Sequence, residues 1–352
     1  MPARGGKKPA AGDTRSPTSA VDVTVVPAPD PELEQRAHQL AERAPIPARV
    51  GSVAAGTAGW TDPSLVQLGN FYPPGTSKPE DRLKFYASHF AMVELDASYY
   101  ALPTVQNAQR WVARTPADFV FDVKAYAPLT EHPFEAARLP KDLHALIDES
   151  LIVRGRVNPK KLPDAIVDEI WARFRSAVEP LHAAGKLGAV LMQYPSWFTA
   201  TKGNSKVLER ARERLGDLPA AVEFRHASWG APGRFARVID YLRELKFSFV
   251  VVDEPQGLPN SMPPTVAVAE PSLAVVRFHG HRRENWNESV SVHAKFGYLY
   301  DPDELKPWVP KVKQLAASAE RVHLVFNNCF SNYAVVGAKD LAAMLAAAAE
   351  GG

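Results

Sequence analysis

Eight short apolar runs recur along this chain, each closing on polar side chains, and few folds accommodate that repetition. Residues 220–229, AAVEFRHASW, show the design most fully. Successive strand side chains point to opposite faces, so Val222 and Phe224 pack outward while Glu223 and Arg225 project together from the other face. Residues 91–100 repeat the pattern with Glu94 and Asp96, residues 118–126 with Asp122 and Lys124, and residues 273–280 with Arg277 and His279. Simpler versions end in Thr57 and Gly59, in Gln193, in Asp253 and in Asn327.

Helix-like segments fall between these strands, at residues 79–90, 104–114, 164–184, 206–215, 232–245, 302–318 and 333–349. Proline and acidic residues mark several starts, as in Pro79-Glu80-Asp81 and Pro302-Asp303-Glu304, which suit the positive end of a helix. Only the segment between the sixth and seventh strands lacks a clear helix. Eight parallel strands joined by crossovers close into a barrel, which removes the edges an open sheet would expose. The pattern therefore predicts an α/β protein, a single (β/α)8 TIM-type barrel over residues 51–350. With 352 residues, 46% of them hydrophobic, the chain can build one large core.

Ahead of the barrel, residues 1–30 carry Arg4, Lys7, Lys8 and Arg15 among small residues and prolines, which predicts a disordered basic tail. Residues 31–50 read as a short helix, with Asp30 at its N-cap, followed by a linker. The 41 basic and 39 acidic residues give a net charge of +2, so affinity for a polyanion must come from a local patch. The one cysteine, Cys329, forbids an internal disulfide and fits a reducing compartment, and no apolar run is long enough for a membrane span. The expected protein is cytoplasmic, with no membrane partner.

In such barrels the active site lies at the C-terminal ends of the strands, where the polar residues converge. The expected ring holds Glu94, Asp96, Asp122, Glu223 and Asp253 against Lys124, Arg225 and Arg277, with His226 and His279 to titrate. Such a ring serves either as a functional mouth or as an architectural ion-pair web. Gln193 and Asn327 add amides, and Trp60, Tyr99, Tyr100, Trp197 and Trp229 either stack on a ligand ring or seal the rim. Two loops on this side are basic: Arg154, Arg156, Lys160 and Lys161 after the third strand, and His281, Arg282, Arg283, His293 and Lys295, with Asn285, Trp286 and Asn287, after the seventh. Glu94, Glu223, Asp253, His226 and His279 contain metal-ligating atoms, but no HxH, HExxH or CxxC spacing groups them, and no Walker or dinucleotide loop is present. Metal and cofactor stay unassigned.

The motifs GTAGW at residues 56–60, NFYP at 70–73, VELDASYY at 93–100, FVFDVK at 119–124, MQYPSWF at 192–198, VEFRHASW at 222–229 and RFHG at 277–280 occur in fixed order. Together they resemble the domain of unknown function 72 family, also called YecE-like, over residues 53–345. The resemblance implies a TIM-type barrel and brings no established reaction. Two places depart from the family's usual pattern: Thr130-Glu131-His132 stands where a Thr-His pair is usual, and Asp96-Ala97-Ser98-Tyr99-Tyr100 where Asn-Ser-Thr-Phe-Tyr is usual.

The expected function is that of a hydrolase or lyase acting on a phosphorylated or sugar-containing substrate. Glu223 or Asp253 is the general base, His279 the acid, and Arg225, Arg277 and Lys124 hold the anion. A nucleic-acid phosphodiesterase is one version, implied by the broad similarity of this barrel family to apurinic endonucleases. The competing expectation is a noncatalytic protein that holds nucleic acid or a small anion at the same rim.

Overall fold

The computed structural model describes residues 31, 32, 34, 35, 49–69, 71–286 and 292–350. Pro31, Glu32, Glu34 and Gln35 are helical; the rest of the expected first helix and the expected basic tail lie outside the described residues.

Eight parallel strands form the barrel: β1 Val53–Thr57, β2 Met92–Leu95, β3 Val120–Lys124, β4 Leu187–Gln193, β5 Ala220–Glu223, β6 Ser248–Asp253, β7 Ala274–Phe278 and β8 Val322–Phe326. Ladders join β2 to β3 and so on through β8, and β8 pairs back onto β1. Every residue of β2, β3, β5, β6, β7 and β8 is buried, because helices cover one face and packed side chains fill the other. The remaining seam, between β1 and β2, has no ladder among the described residues and is bridged by a side chain instead. Tyr86 Oη accepts from the Thr57 backbone N–H (2.8 Å) and donates to the Met92 carbonyl (3.2 Å). Gly56 makes this approach feasible, since a Cβ there would lie 2.2 Å from the Met92 carbonyl oxygen.

The crossover helices are α1 Pro79–Ala87, α2 Val105–Arg114, α3 Asp164–Ala183, α4 Lys202–Leu215, α5 Phe235–Glu244 and α6 Trp308–Ala316, and α7 Tyr333–Glu350 follows β8. As expected, no helix links β6 to β7. Local chemistry sets the starts: Thr104 and Thr201 cap α2 and α4 through Asn107 N and Asn204 N, and Pro79 opens α1. The helix expected over residues 302–318 is divided. Asp301 and Glu304 form a capping box on Pro302–Leu305, then Pro307, which has no N–H to continue the ladder, becomes the N-cap of α6.

Between β3 and α3 the chain makes a long excursion containing a small antiparallel sheet, in which Arg156–Val157 pairs with both Phe134–Glu135 and Ile152–Val153. It carries His132 and Arg156, which reappear at the mouth.

Candidate functional site

Arg277 organises the barrel interior. Its guanidinium crosses the lumen from β7 to β2, placing Nη2 2.6 Å from Glu94 Oε1, while Nη1 meets Glu223 Oε2 of β5 at 2.5 Å. Strands that are not neighbours can touch in this way only through the centre of the barrel. Glu223 Oε1 also takes Arg225 Nη1 at 3.0 Å, and Arg225 Nη1 lies 3.2 Å from Glu254 Oε2. His279 Nε2 is 3.3 Å from Glu223 Oε1, and the His279 Nδ1 faces the Asn327 amide nitrogen at 3.0 Å. Beside this web Lys124 Nζ binds Asp96 at 2.6 Å.

Three carboxylates, Glu94, Glu223 and Glu254, thus share two guanidiniums, and one bound proton would neutralise the set. Burial pushes both Glu94 and Glu254 up to about 7, against the pull of Arg277 and Arg225 respectively. Burial alone would raise Glu223 too, but the charges around it, Arg277 foremost and then Arg225, outweigh it and hold this carboxyl well below its usual range. Burial, with help from the Arg225 and Arg277 charges, lowers His279 to about 3 despite the proximity of Glu223. His279 is therefore a neutral imidazole at physiological pH.

Glu94, Glu223, Arg277 and His279 expose no more than 1% of their side chains. Arg225, at 12%, is the part of the web that reaches the surface. It emerges in a cleft of about 290 Å³ whose lining includes His132, Gln193, Trp197, Trp286 and Lys295. The Arg225 guanidinium lies 4.7 Å from the Trp286 ring centroid, and Lys295 Nζ approaches the same ring at 6.0 Å. Burial and the Arg225 charge lower the Lys295 ammonium below its usual range. Burial together with Lys124, Arg225 and Arg156 takes His132 down to about 3. Among the described residues, this lining contains cations and amides and no carboxylate.

The structure brings together Glu94, Lys124, Gln193, Glu223, Arg225, Arg277, His279 and Asn327 of the residues expected at the site. Others lie elsewhere. Asp253 has the parity of Phe278, opposite to Arg277, so it turns away from the lumen and accepts from Tyr300 Oη (2.8 Å) beside His281 Nε2 (3.0 Å). Asp122 pairs with His323 Nδ1 at 3.0 Å, two residues nearer the N-terminal end of β8 than the Val325 that registers with Arg277, and so belongs to the barrel floor. Trp60 packs edge-on against Trp111 and Phe121 in the layer between barrel and helices. Trp229 is sandwiched in the stack of Phe198 and Phe224 and donates Nε1 to the Phe198 carbonyl. His226 caps the turn at Ser228 through Nδ1. The expected acid, His279, is a buried neutral imidazole whose lowered pKa leaves no imidazolium at physiological pH. Guanidiniums occupy the space between the carboxylates, and among the described residues no His, Cys, Asp and Glu group of three or more is arranged to hold a metal ion.

Glu254 is the site residue that the strand pattern missed. Its signal was parity: Val252 registers with Arg277, so the side chain two positions on also faces the lumen. Asn287 and the His293 side chain lie outside what is described.

The fold and this interior define a TIM-type barrel with a buried Arg–Glu network beneath a cationic mouth. The chain belongs to the DUF72 family: the family model "Protein of unknown function DUF72" matches residues 54–351. It is 30% identical over 277 residues to the UPF0759 protein YunF of Bacillus subtilis (strain 168), covering 78% of this chain and 87% of that one. Two solved DUF72 structures are similar. That from Thermotoga maritima MSB8 has a TM-score of 0.65 and 29% identity, covering 83% of this chain and 98% of that one. That from Enterococcus faecalis v583 has a TM-score of 0.66 and 26% identity, covering 83% and 95%. The resemblance read from the ordered motifs is borne out. Among the described residues, no helix is long and apolar enough to cross a membrane.

Proposed function

We infer that the mouth binds a small anionic ligand, phosphorylated or sugar-containing, and that the protein acts on it as a hydrolase or lyase. The carrying observation is the cleft lining, where Arg225 and Lys295 converge with Gln193 and, among the described residues, no carboxylate reaches the cleft wall. Arg225 and Lys295 hold the anion, Gln193 orients it by hydrogen bonds, and the exposed Trp197 ring covers a sugar or base. A ligand anion on Arg225 competes with Glu254 for the same Nη1, and a displaced Glu254, with its pKa near 7, is suited to exchange a proton. Glu223, tied to two guanidiniums, fixes their geometry.

A noncatalytic binding protein is the second reading, favoured by one observation: the deepest members of the web are sealed from solvent. Tryptophan fluorescence titrations with inorganic phosphate and ribose 5-phosphate, alongside turnover assays on phosphomonoesters and phosphodiesters, test both. Glu254→Gln should abolish turnover and retain binding if the protein is an enzyme. Binding that survives Arg225→Met unchanged would sink the anion site itself.

A further inference from the structure

An aromatic ridge leads out of the cleft. Tyr100 and Tyr99 meet with ring centroids 5.1 Å apart, Tyr99 meets His132 at 5.3 Å, and His132 meets Trp197 at 6.0 Å. All three contacts are edge-to-face, so none of these rings is covered by a parallel ring of its neighbours. Tyr100 remains 51% exposed and Trp197 58% exposed, and both stand on the loops that rim the mouth. Hydrophobic burial would normally remove such rings from water, so their exposure beside a cleft marks a contact surface.

Cations run alongside. Lys124 Nζ lies 4.7 Å from the Tyr99 ring centroid and is neutralised by Asp96 at 2.6 Å, while Arg156 acts on both Tyr99 and His132 and Arg225 and Lys295 continue the series into the cleft. The cleft itself is small, at the lower end of the roughly 300–1,000 Å³ of ordinary ligand pockets. It accommodates a terminal group and leaves the ridge for whatever is attached to that group.

We propose that the ligand of this mouth is a single-stranded nucleic acid, whose bases stack on Tyr100 and Trp197 while its phosphates follow Arg156, Arg225 and Lys295. The inference rests on the anion-binding reading above and extends it from a small anion to a polymer. Alternating ring faces and cations are what an unpaired strand requires, because its bases are free to stack and every one of them has a π-face. A duplex already stacks its bases internally and has no use for the ridge. A sulfated sugar polymer would use the cations but gains less from several aromatic faces in sequence.

The test is fluorescence anisotropy with a labelled oligothymidylate of about eight nucleotides, within the site sizes of such surfaces. The matching duplex and a heparin-derived oligosaccharide serve as competitors, at about 50 and about 200 mM salt. The single strand should bind at least tenfold more tightly than the duplex, and more tightly than the oligosaccharide. Trp197→Ala, a change at an exposed position, should weaken binding about tenfold, with partial recovery in Trp197→Phe. Arg156→Gln should reduce the slope of log affinity against log salt by about 0.7, the value of one phosphate contact on a single strand. Equal affinity for duplex, preference for the oligosaccharide, or indifference to Trp197→Ala would each overturn the proposal. Ribose 5-phosphate binding without any oligonucleotide binding overturns the polymer and leaves the small-anion reading intact; failure of both ligands removes both.

Discussion

Arg277 Nη1 and Glu223 Oε2 lie 2.5 Å apart with neither side chain exposed, and the second guanidinium nitrogen is taken by Glu94 at 2.6 Å. Desolvating these charges is tolerable only while each has its partner, because removing one strands the others in a low-dielectric interior. Burial and the contacts with both carboxylates make Arg277 part of the scaffold, and Arg225 becomes the group that can meet a ligand.

Arg277→Met should therefore destabilise the protein by about 3–5 kcal/mol, the usual cost of breaking a buried ion pair by deleting one member. Urea denaturation measures it. If Arg277→Met/Glu223→Met/Glu94→Leu is no more stable than the single variant, the stranded charges are not the cause of the loss.

Closure at the β1–β2 seam rests on Tyr86 Oη, which is bonded to Thr57 N and the Met92 carbonyl. Tyr86→Phe keeps the ring and strands a buried N–H and C=O, at a cost of about 1–3 kcal/mol. Amide hydrogen exchange at Thr57 should accelerate in step. Unchanged protection there would show that the seam closes by packing alone.

Stability should depend on pH with two opposed contributions. His279 and His132 sit at about 3 in the fold and near 6.5 when unfolded, so the unfolded chain binds protons first and stability falls as pH drops from about 6.5 toward 3. Glu94 and Glu254 are raised to about 7 from about 4.5, so their contribution is complete below about 4.5 and is lost as pH rises through 7. His279→Gln should flatten the acid limb by up to about 1.4 kcal/mol per pH unit, and Glu254→Gln the limb between about 4.5 and 7. Melting temperatures across pH 3–8 would check both signs; an acid limb equally steep in His279→Gln would contradict the assignment of a neutral buried imidazole.

Binding of sulfate, an anion that does not itself titrate near neutrality, at Arg225 should be accompanied by proton uptake near pH 7. The anion competes with Glu254 for Nη1, and a buried carboxylate that loses its cation protonates. Calorimetry in buffers of different ionisation enthalpy reads the proton count directly. Uptake of a substantial fraction of one proton is expected, and none in Glu254→Gln. Identical enthalpies in all buffers would mean that Glu254 does not respond.

Much of this was legible in the chain itself. Strand alternation and end-of-run polarity placed Glu94, Glu223 and Arg277 on one lumen, because inward and outward positions are a matter of parity within a single strand. The alternation of strand-like and helix-like runs found six crossover helices, the helix after β8 and the gap between β6 and β7. What parity along one strand does not reveal is depth and partner choice. Asp122 and Lys124 share a face, yet one pairs with His323 on the floor and the other with Asp96 at the mouth. Asp253 and Glu254 are adjacent, and register with β7 decided that only the second joins Arg225. Trp60 and Trp229 look in sequence like Trp197, and packing alone made two of them core and left the third in water. Local sequence fixes which way a side chain points, whereas its neighbours across the lumen, its desolvation and hence its protonation arise only when eight distant strands close around the same volume.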